Sequence, residues 1–379
     1  MSIVLNTTPG SYYSAHDNLL FVAYEATKAT DNATYPDYKY VCDVYIGSTF
    51  AVRLKTFPQP DNFRAIFDIG RIVRNYVGTV LNPTLGQIRA QQFGSGRYYV
   101  DVTCKFGEDY DNTLYTNLTV DSARRYYNHY NGRQVGTLTT LTPFTNKILS
   151  NGPNTRYVEL EDTCVFLPYF PSASGNVTLT VSGNDYTFAV TADTVEQLNV
   201  SPVAVNAQFP GLITAATESY TVTMGGRTIT YRLTCNGKYE NRWVHFLNKL
   251  GAYESFPFAL VSRTSYDIER KSFGQLPYTV GNDGSVSYRS GIIYNELDKV
   301  YDSRFEEKLR LNTDILTDQE HAWLSELVFS PEVYVQESGY LIPVRITGNN
   351  YVPGKYVNDG LTNLEIEVQF GKMFNTQAR

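Results

Sequence analysis

The amino-acid sequence predicts a mainly-β protein of two or three antiparallel, sandwich-like domains with a few short helices. Three observations carry that expectation. Apolar and polar residues alternate with period two over short runs, as half-buried strands require, because successive side chains face opposite sides of a sheet. The runs are punctuated by Gly, Asn and Asp residues suited to tight turns. The composition, 42% hydrophobic, 14% aromatic and 18% charged, is that of a folded chain and excludes disordered, collagenous and coiled-coil classes.

In chain order, the first helix is expected after Asp68, whose carboxylate can cap it. Ile69, Ile72, Val73, Tyr76 and Val77 then fall at i, i+3, i+4, i+7 and i+8 and form one apolar stripe, with Arg71 and Arg74 away from it. Residues 177–181 and 186–190 alternate on either side of 182–185 and read as a hairpin, whereas 194–199 read as a single helical turn. A second hairpin joins 220–224 to 229–235, where Gly225 and Gly226 permit the positive φ of a primed turn. A third joins 278–280 to 286–288 across Gly281-Asn-Asp-Gly284. Thr317 and Glu320 form a T-x-x-E capping box for a helix over 318–329, with Trp323, Leu324, Leu327 and Val328 inward and Pro331 ending it. Residues 341–346 and 364–370 alternate as strands, and Pro343, lacking an N–H, fits only an edge strand or a strand start.

The length of 379 residues favours two or three domains over one. The Thr-, Pro- and Asn-rich stretch 139–154 marks one boundary and the region of Lys238 a second. The expected units are an N-terminal β domain with one short helix (1–145), a central β-sandwich (155–238) and a C-terminal β domain with one capped helix (239–379). The formal charge of −6 with no basic run argues against nucleic acid as a partner. The longest apolar stretch, 19–24, is far shorter than the roughly 20 residues needed to span a bilayer, so no membrane insertion is expected. No apolar segment follows a charged start, so no signal peptide is expected and synthesis is placed inside the cell.

The catalytic inventory is thin. Cys42, Cys104, Cys164 and Cys235 lie far apart in apolar or alternating segments, which fits small buried hydrophobes rather than a zinc or redox pair or disulfides. His16, His129, His245 and His321 occur in no metal-binding spacing, with His245 alternating out of a strand and His321 in the first turns of a helix. Phosphate-loop, nucleophile-elbow and dinucleotide motifs are absent from the sequence. Glu108, Asp109 and Asp111 lack the spacing of a calcium loop, and Glu159, Glu161 and Asp162 are a general acid–base pair only if the fold converges them; both clusters read as solvated strand ends and turns. Catalytic, cofactor-binding and metal-ligating residues are therefore all expected to be none. Tyrosine is the unusual term, 31 of 379 residues, with clusters at Tyr12-Tyr13, Tyr98-Tyr99, Tyr126-Tyr127 with Tyr130, and Tyr351 with Tyr356. An amphipathic ring suits protein interfaces and sugar stacking, and equally suits half-buried strands.

Several segments together resemble a family. Tyr40-Val-Cys-Asp-Val-Tyr-Ile-Gly47, Arg53-Leu-Lys-Thr-Phe-Pro-Gln-Pro-Asp61 and Phe67-Asp-Ile-Gly-Arg-Ile-Val-Arg-Asn-Tyr-Val77 are similar to the N-terminal module of structural proteins of tailed phages and prophages of Bacteroidetes-type hosts. Trp243-Val-His-Phe-Leu-Asn-Lys-Leu-Gly251, followed by Tyr253 and Phe256-Pro-Phe258, resembles a later signature of those proteins, and 316–331 with 343–346 resembles their C-terminal module. In residue terms these segments are scaffold: Phe246 and Leu247 are core anchors and Gly251 a turn or helix-stop position. The resemblance implies a virion protein of the tail, baseplate hub or neck, non-enzymatic, with no cofactor. Its expected partners are further copies of itself in a ring and other tail or neck proteins. The alternatives are a receptor- or glycan-binding tail adhesin and, behind it, a virion-associated hydrolase.

Overall fold

A computed structural model describes residues 3–10, 12–31, 33–129, 146–234, 239–290, 292–348 and 363–378. The protein is mainly β, as the alternation predicts, with strands in several mostly antiparallel sheets. Parallel pairings include Tyr12–Ser14 with Arg124–Tyr127, and Thr155–Glu159 with Arg227–Thr234. Among the described residues no helix is long and apolar enough to cross a membrane.

The chain divides into two compact units, one of Met1–Cys235 with His245–Phe256 and one of Asn236–Val244 with Pro257–Arg379. This differs from the expected split between 145 and 155. The reason is a strand pairing: Arg89–Phe93, from the expected first domain, is hydrogen-bonded to Val195–Asn199, from the second. The boundary expected at Lys238 lies outside the described residues.

In the first unit, a three-stranded sheet (Val4–Thr7, Leu20–Tyr24, Arg64–Asp68) and a larger one built on Lys39–Ile46 and Tyr99–Tyr110 enclose a common core. Alternation decides what enters it: Cys42 and Val44 on one strand, and Val102, Cys104 and Phe106 on its partner, are all buried. The Phe106 ring centroid lies 5.4 Å from that of Phe21 and 6.0 Å from that of Phe67. Helix α1 (Gly70–Arg74) follows, its first N–H accepted by Asp68 Oδ1 at 2.9 Å. It is shorter than the stripe predicts. Ile69, Val73 and Val77 are buried, but the chain leaves the helix after Arg74 and Tyr76 turns out to solvent.

The same unit contains the first two expected hairpins. Gly175–Val181 pairs with Asn184–Val190, and Ser219–Met224 with Arg227–Thr234. Gly225 and Gly226 adopt φ of 55° and 75°, and a Cβ on Gly225 would lie 2.5 Å from the Asn146 carbonyl. Residues 195–199 are a buried strand between Phe166–Phe170 and Arg89–Phe93, not a helical turn. Sheet pairing on both edges outweighs the helical preference of Glu, Gln and Leu there. The turn that is helical is α2 (Pro202–Gln208), where Ser201 Oγ caps the Ala204 N–H at 3.3 Å and Pro202 occupies the first turn.

In the second unit, Val333–Glu337, Tyr340–Ile346, Glu365–Ala378, Asp298–Asn312 and Arg263–Gly274 lie side by side in that order. Helix α3 (Asp318–Val328) carries the expected capping box, with Thr317 and Glu320 bonded reciprocally. Its buried residues are His321, Trp323, Leu324 and Leu327, and the buried sheet residues of this unit include Leu309, Leu311, Val333, Val335, Ile366 and Val368. Pro343 corrects the edge-strand expectation, since its strand has neighbours on both sides. Pairing toward Glu365–Ala378 begins only at Val344, so the missing N–H falls where no ladder bond is made.

Candidate assembly surface

The second unit carries an extended hairpin. Arg263–Gly274 and Asp298–Asn312 pair antiparallel from Arg263 opposite Arg310 to Gly274 opposite Asp298, with Tyr301 bulged out of the ladder between Asp302 and Val300. Every residue of Arg263–Gly274 is exposed, and this strand is the open edge of its sheet. Alternation divides the shaft into two faces. Arg263, Ser265, Asp267, Glu269 and Lys271 share one face with Asp302, Arg304, Glu306, Lys308 and Arg310. There Lys308 is paired with Asp267, which holds its ammonium above the usual lysine range, and lies 3.8 Å from Glu367. Arg310 lies 3.3 Å from Glu365. The opposite face carries Tyr266 and Ile268, both more than half exposed, beside Phe305, whose ring meets Tyr266 edge-on at 5.5 Å.

The hairpin ends in the tip, residues 275–297, built from two ribbons, Thr279–Val280 with Val286–Ser287 and Arg289–Ser290 with Ile293–Tyr294. The first is the expected third hairpin. Its turn is held by Asp283, whose Oδ1 accepts from Ser285 N at 3.0 Å and from Ser285 Oγ at 2.6 Å, lowering the carboxyl pKa. Leu276, Val280, Val286, Tyr288, Ile293, Tyr294 and Leu297 are each more than half exposed, and Ile292 is 96% exposed. Only Asp283, Arg289 and Glu296 are charged in the tip. Charge therefore sits on the shaft and apolar area at the tip. Depletion of charge with enrichment of aromatic and aliphatic surface is the composition of an interface centre.

Sequence reasoning found the tip ribbon but missed the shaft. The signal was present: Thr264, Tyr266 and Ile268 alternate with Ser265, Asp267 and Glu269, and the charge-poor segment follows at once.

The residues weighed for chemistry are dispersed. His129 is buried and its ring nitrogen Nε2 shares a 2.9 Å hydrogen bond with the Tyr98 hydroxyl; burial pushes its pKa down to about 3. His16 Nε2 lies 2.8 Å from Asn128 Oδ1, and burial lowers its pKa as well. His245 is buried against Ser255 Oγ at 2.8 Å and packs on Phe166, so it does not alternate out of its strand; both faces of Arg242–Leu247 are covered. His321 is buried on the inner face of α3.

Glu108 is fully buried rather than solvated, paired with Lys28 at 2.5 Å, while Asp109 pairs with Lys55 at 2.6 Å and Asp111 sits in the next turn at φ 48°. Alternation sends Glu108 and Asp109 to opposite faces, so they do not converge. Asp162 Oδ2 accepts the Glu159 N–H at 2.6 Å, a turn contact. Among the described residues no three His, Cys, Asp or Glu side chains gather to hold a metal ion. Cys42, Cys104 and Cys164 are buried and free, as expected of small hydrophobes; Cys235 lies outside the described residues.

Of the two uses open to tyrosine, packing within the fold accounts for many of the described residues. Tyr40, Tyr98, Tyr126, Tyr220, Tyr231 and Tyr253 are among the largest fully buried side chains. Tyr130, Tyr351 and Tyr356 lie outside the described residues, as do the side chains of Tyr12 and Tyr13. The exposed tyrosines include Tyr266, Tyr288, Tyr294 and Tyr301, all on the hairpin arm.

No family model matches the chain, and no curated protein does. Among solved structures it is similar, at 10% identity and a TM-score of 0.15, to a chain from a study of host cell surface retention of a 1.5-MDa bacterial ice-binding adhesin. That likeness spans 83% of this chain and 93% of the other, and at such a TM-score it carries no argument about fold or function.

Proposed function

We propose that this chain is a non-enzymatic structural subunit of a tailed-bacteriophage virion, a component of the tail, baseplate hub or neck. It acts by protein–protein assembly with further copies of itself in a ring and with neighbouring virion proteins. The resemblance of three sequence segments supplies the virion context, and the exposed apolar tip at 275–297 carries the assembly reading. Burial of one Val, Leu or Ile side chain is worth roughly 1.5–3 kcal/mol, so seating three or four of the tip residues supplies on the order of 5–10 kcal/mol before the costs of association.

The test is sedimentation velocity of the full chain beside Ile293→Asp and Leu276→Asp, whose positions are exposed and leave the fold intact. The wild type is expected to form a discrete oligomer as concentration rises, and both variants to remain monomeric with unchanged melting. A wild type that stays monomeric at every concentration, or variants that assemble as well as it does, would refute the role given to the tip.

A further inference from the structure

We propose that the first unit carries a saccharide-binding groove, formed where the end of α1, the turn after Lys39–Ile46 and the turn before Tyr99–Tyr110 meet. The groove has a volume of about 480 Å³, within the range of small-molecule sites. Its lining combines Tyr76, Val77 and Ile46 with the polar Asn75, Ser95 and Asp101. This site is independent of the hairpin arm and of the assembly reading.

Three observations point to the ligand class. The first is charge. Asp101 is the one charged residue lining the groove, and its carboxylate is held by Arg125, with Nε to Oδ1 at 2.7 Å and Nη2 to Oδ2 at 3.0 Å. Arg125 is itself fixed by Asp193 at 2.5 Å and by stacking over Tyr99 at 4.0 Å. Arg125, shared between the two carboxylates, fixes the orientation of Asp101, which is 41% exposed and so offers its remaining lone pairs to hydroxyl donors.

The second is the aromatic wall. Tyr76 belongs by sequence spacing to the buried stripe of α1, yet the helix stops at Arg74 and the ring is 43% exposed at the groove. An aromatic ring in the same lining as amide, hydroxyl and carboxylate groups matches a ligand with one C–H face and a rim of hydroxyls, which is a pyranose.

The third is Gly78. Its φ lies outside the left-handed region, and a Cβ placed there meets no atom within 4 Å. Neither backbone conformation nor packing demands glycine at this groove-lining position, and a side chain added there has open space to occupy.

A neutral hexopyranoside thus stacks its C–H face on Tyr76 and donates adjacent hydroxyls to Asp101. The experiment is saturation-transfer NMR on the full chain, with the methyl glycosides of glucose, galactose, mannose and N-acetylglucosamine as probes at millimolar concentration. At least one probe is expected to show transfer to its ring C–H protons. Gly78→Leu should abolish that transfer, and Tyr76→Ala should weaken affinity about tenfold. Tyr157→Ala, an exposed tyrosine elsewhere in the unit, should change nothing. Tyr76 is exposed, so its removal reads out binding even if Gly78→Leu fails to fold. Absence of transfer from all four probes, or transfer that survives Tyr76→Ala, overturns the proposal.

Discussion

Acidification should destabilise this protein through one buried histidine. His129 is almost wholly buried beside Tyr98, and burial lowers its pKa from 6.5 to about 3, with the neighbouring His16 adding to the effect. The folded value is depressed, so the contribution to stability is fully present above the unfolded value and is lost as pH falls toward the folded one. Within that window the unfolded chain binds a proton that the native state refuses. Between about pH 7 and about pH 4.5 the loss from His129 alone comes to about 2.5 kcal/mol, taking the shift from 6.5 to about 3 at its face value. Carboxylates titrate over the same range, so the informative quantity is a difference. Urea unfolding of wild type and His129→Gln across that range should show the stability gap between them narrowing by about 2.5 kcal/mol on acidification. His16 is common to both proteins and largely cancels. Parallel pH curves would refute the reasoning, because they would mean that His129 takes up its proton in the native state as readily as in the unfolded one.

Trp323 is 3% exposed on the buried stripe of the capped helix. Trp323→Ala should cost about 3–5 kcal/mol in chemical denaturation, and an unchanged unfolding midpoint would remove that assignment. Gly251 has a φ of 78°, and a Cβ there would sit 2.1 Å from the Asn128 carbonyl oxygen. Gly251→Ala should therefore lower stability by about 3 kcal/mol or more, and a variant melting like wild type would show that the turn relaxes freely.

What the sequence revealed and what it hid follow from the range of the interactions involved. The capping box of Thr317 and Glu320, the Gly225–Gly226 turn and the Gly251 turn were legible because their determinants lie within a few residues of one another. Residues 195–199 were misread because their neighbours in the sheet come from about thirty and a hundred positions away, and no local pattern records them. The same holds for Glu108, whose burial depends on Lys28, eighty positions earlier. Pro343 obeyed the rule that a strand proline must lack a ladder partner at its nitrogen, but a ladder that starts one residue late satisfies that rule inside a sheet. Tyr76 shows the reverse case: local spacing places it on the buried stripe, but the helix ends at Arg74 and the residue is 43% exposed. The groove it lines joins three turns distant in sequence, which is why no motif announced it.

The division of the hairpin arm into a charged shaft and a charge-poor tip also bears on kinetics. Between 263 and 312 the cations and anions are equal in number, eight of each, so the arm projects little net field. Partners then meet without electrostatic steering, and encounter proceeds at the roughly 10⁵–10⁶ M⁻¹s⁻¹ typical of neutral surfaces and changes little with ionic strength. An assembly joined in this way gathers slowly from dilute subunits and faster as they accumulate. Under the proposed assembly its timing would follow the concentration of subunits, and tips joined by the exclusion of water would survive changes in salt that would dissolve a contact built from charge.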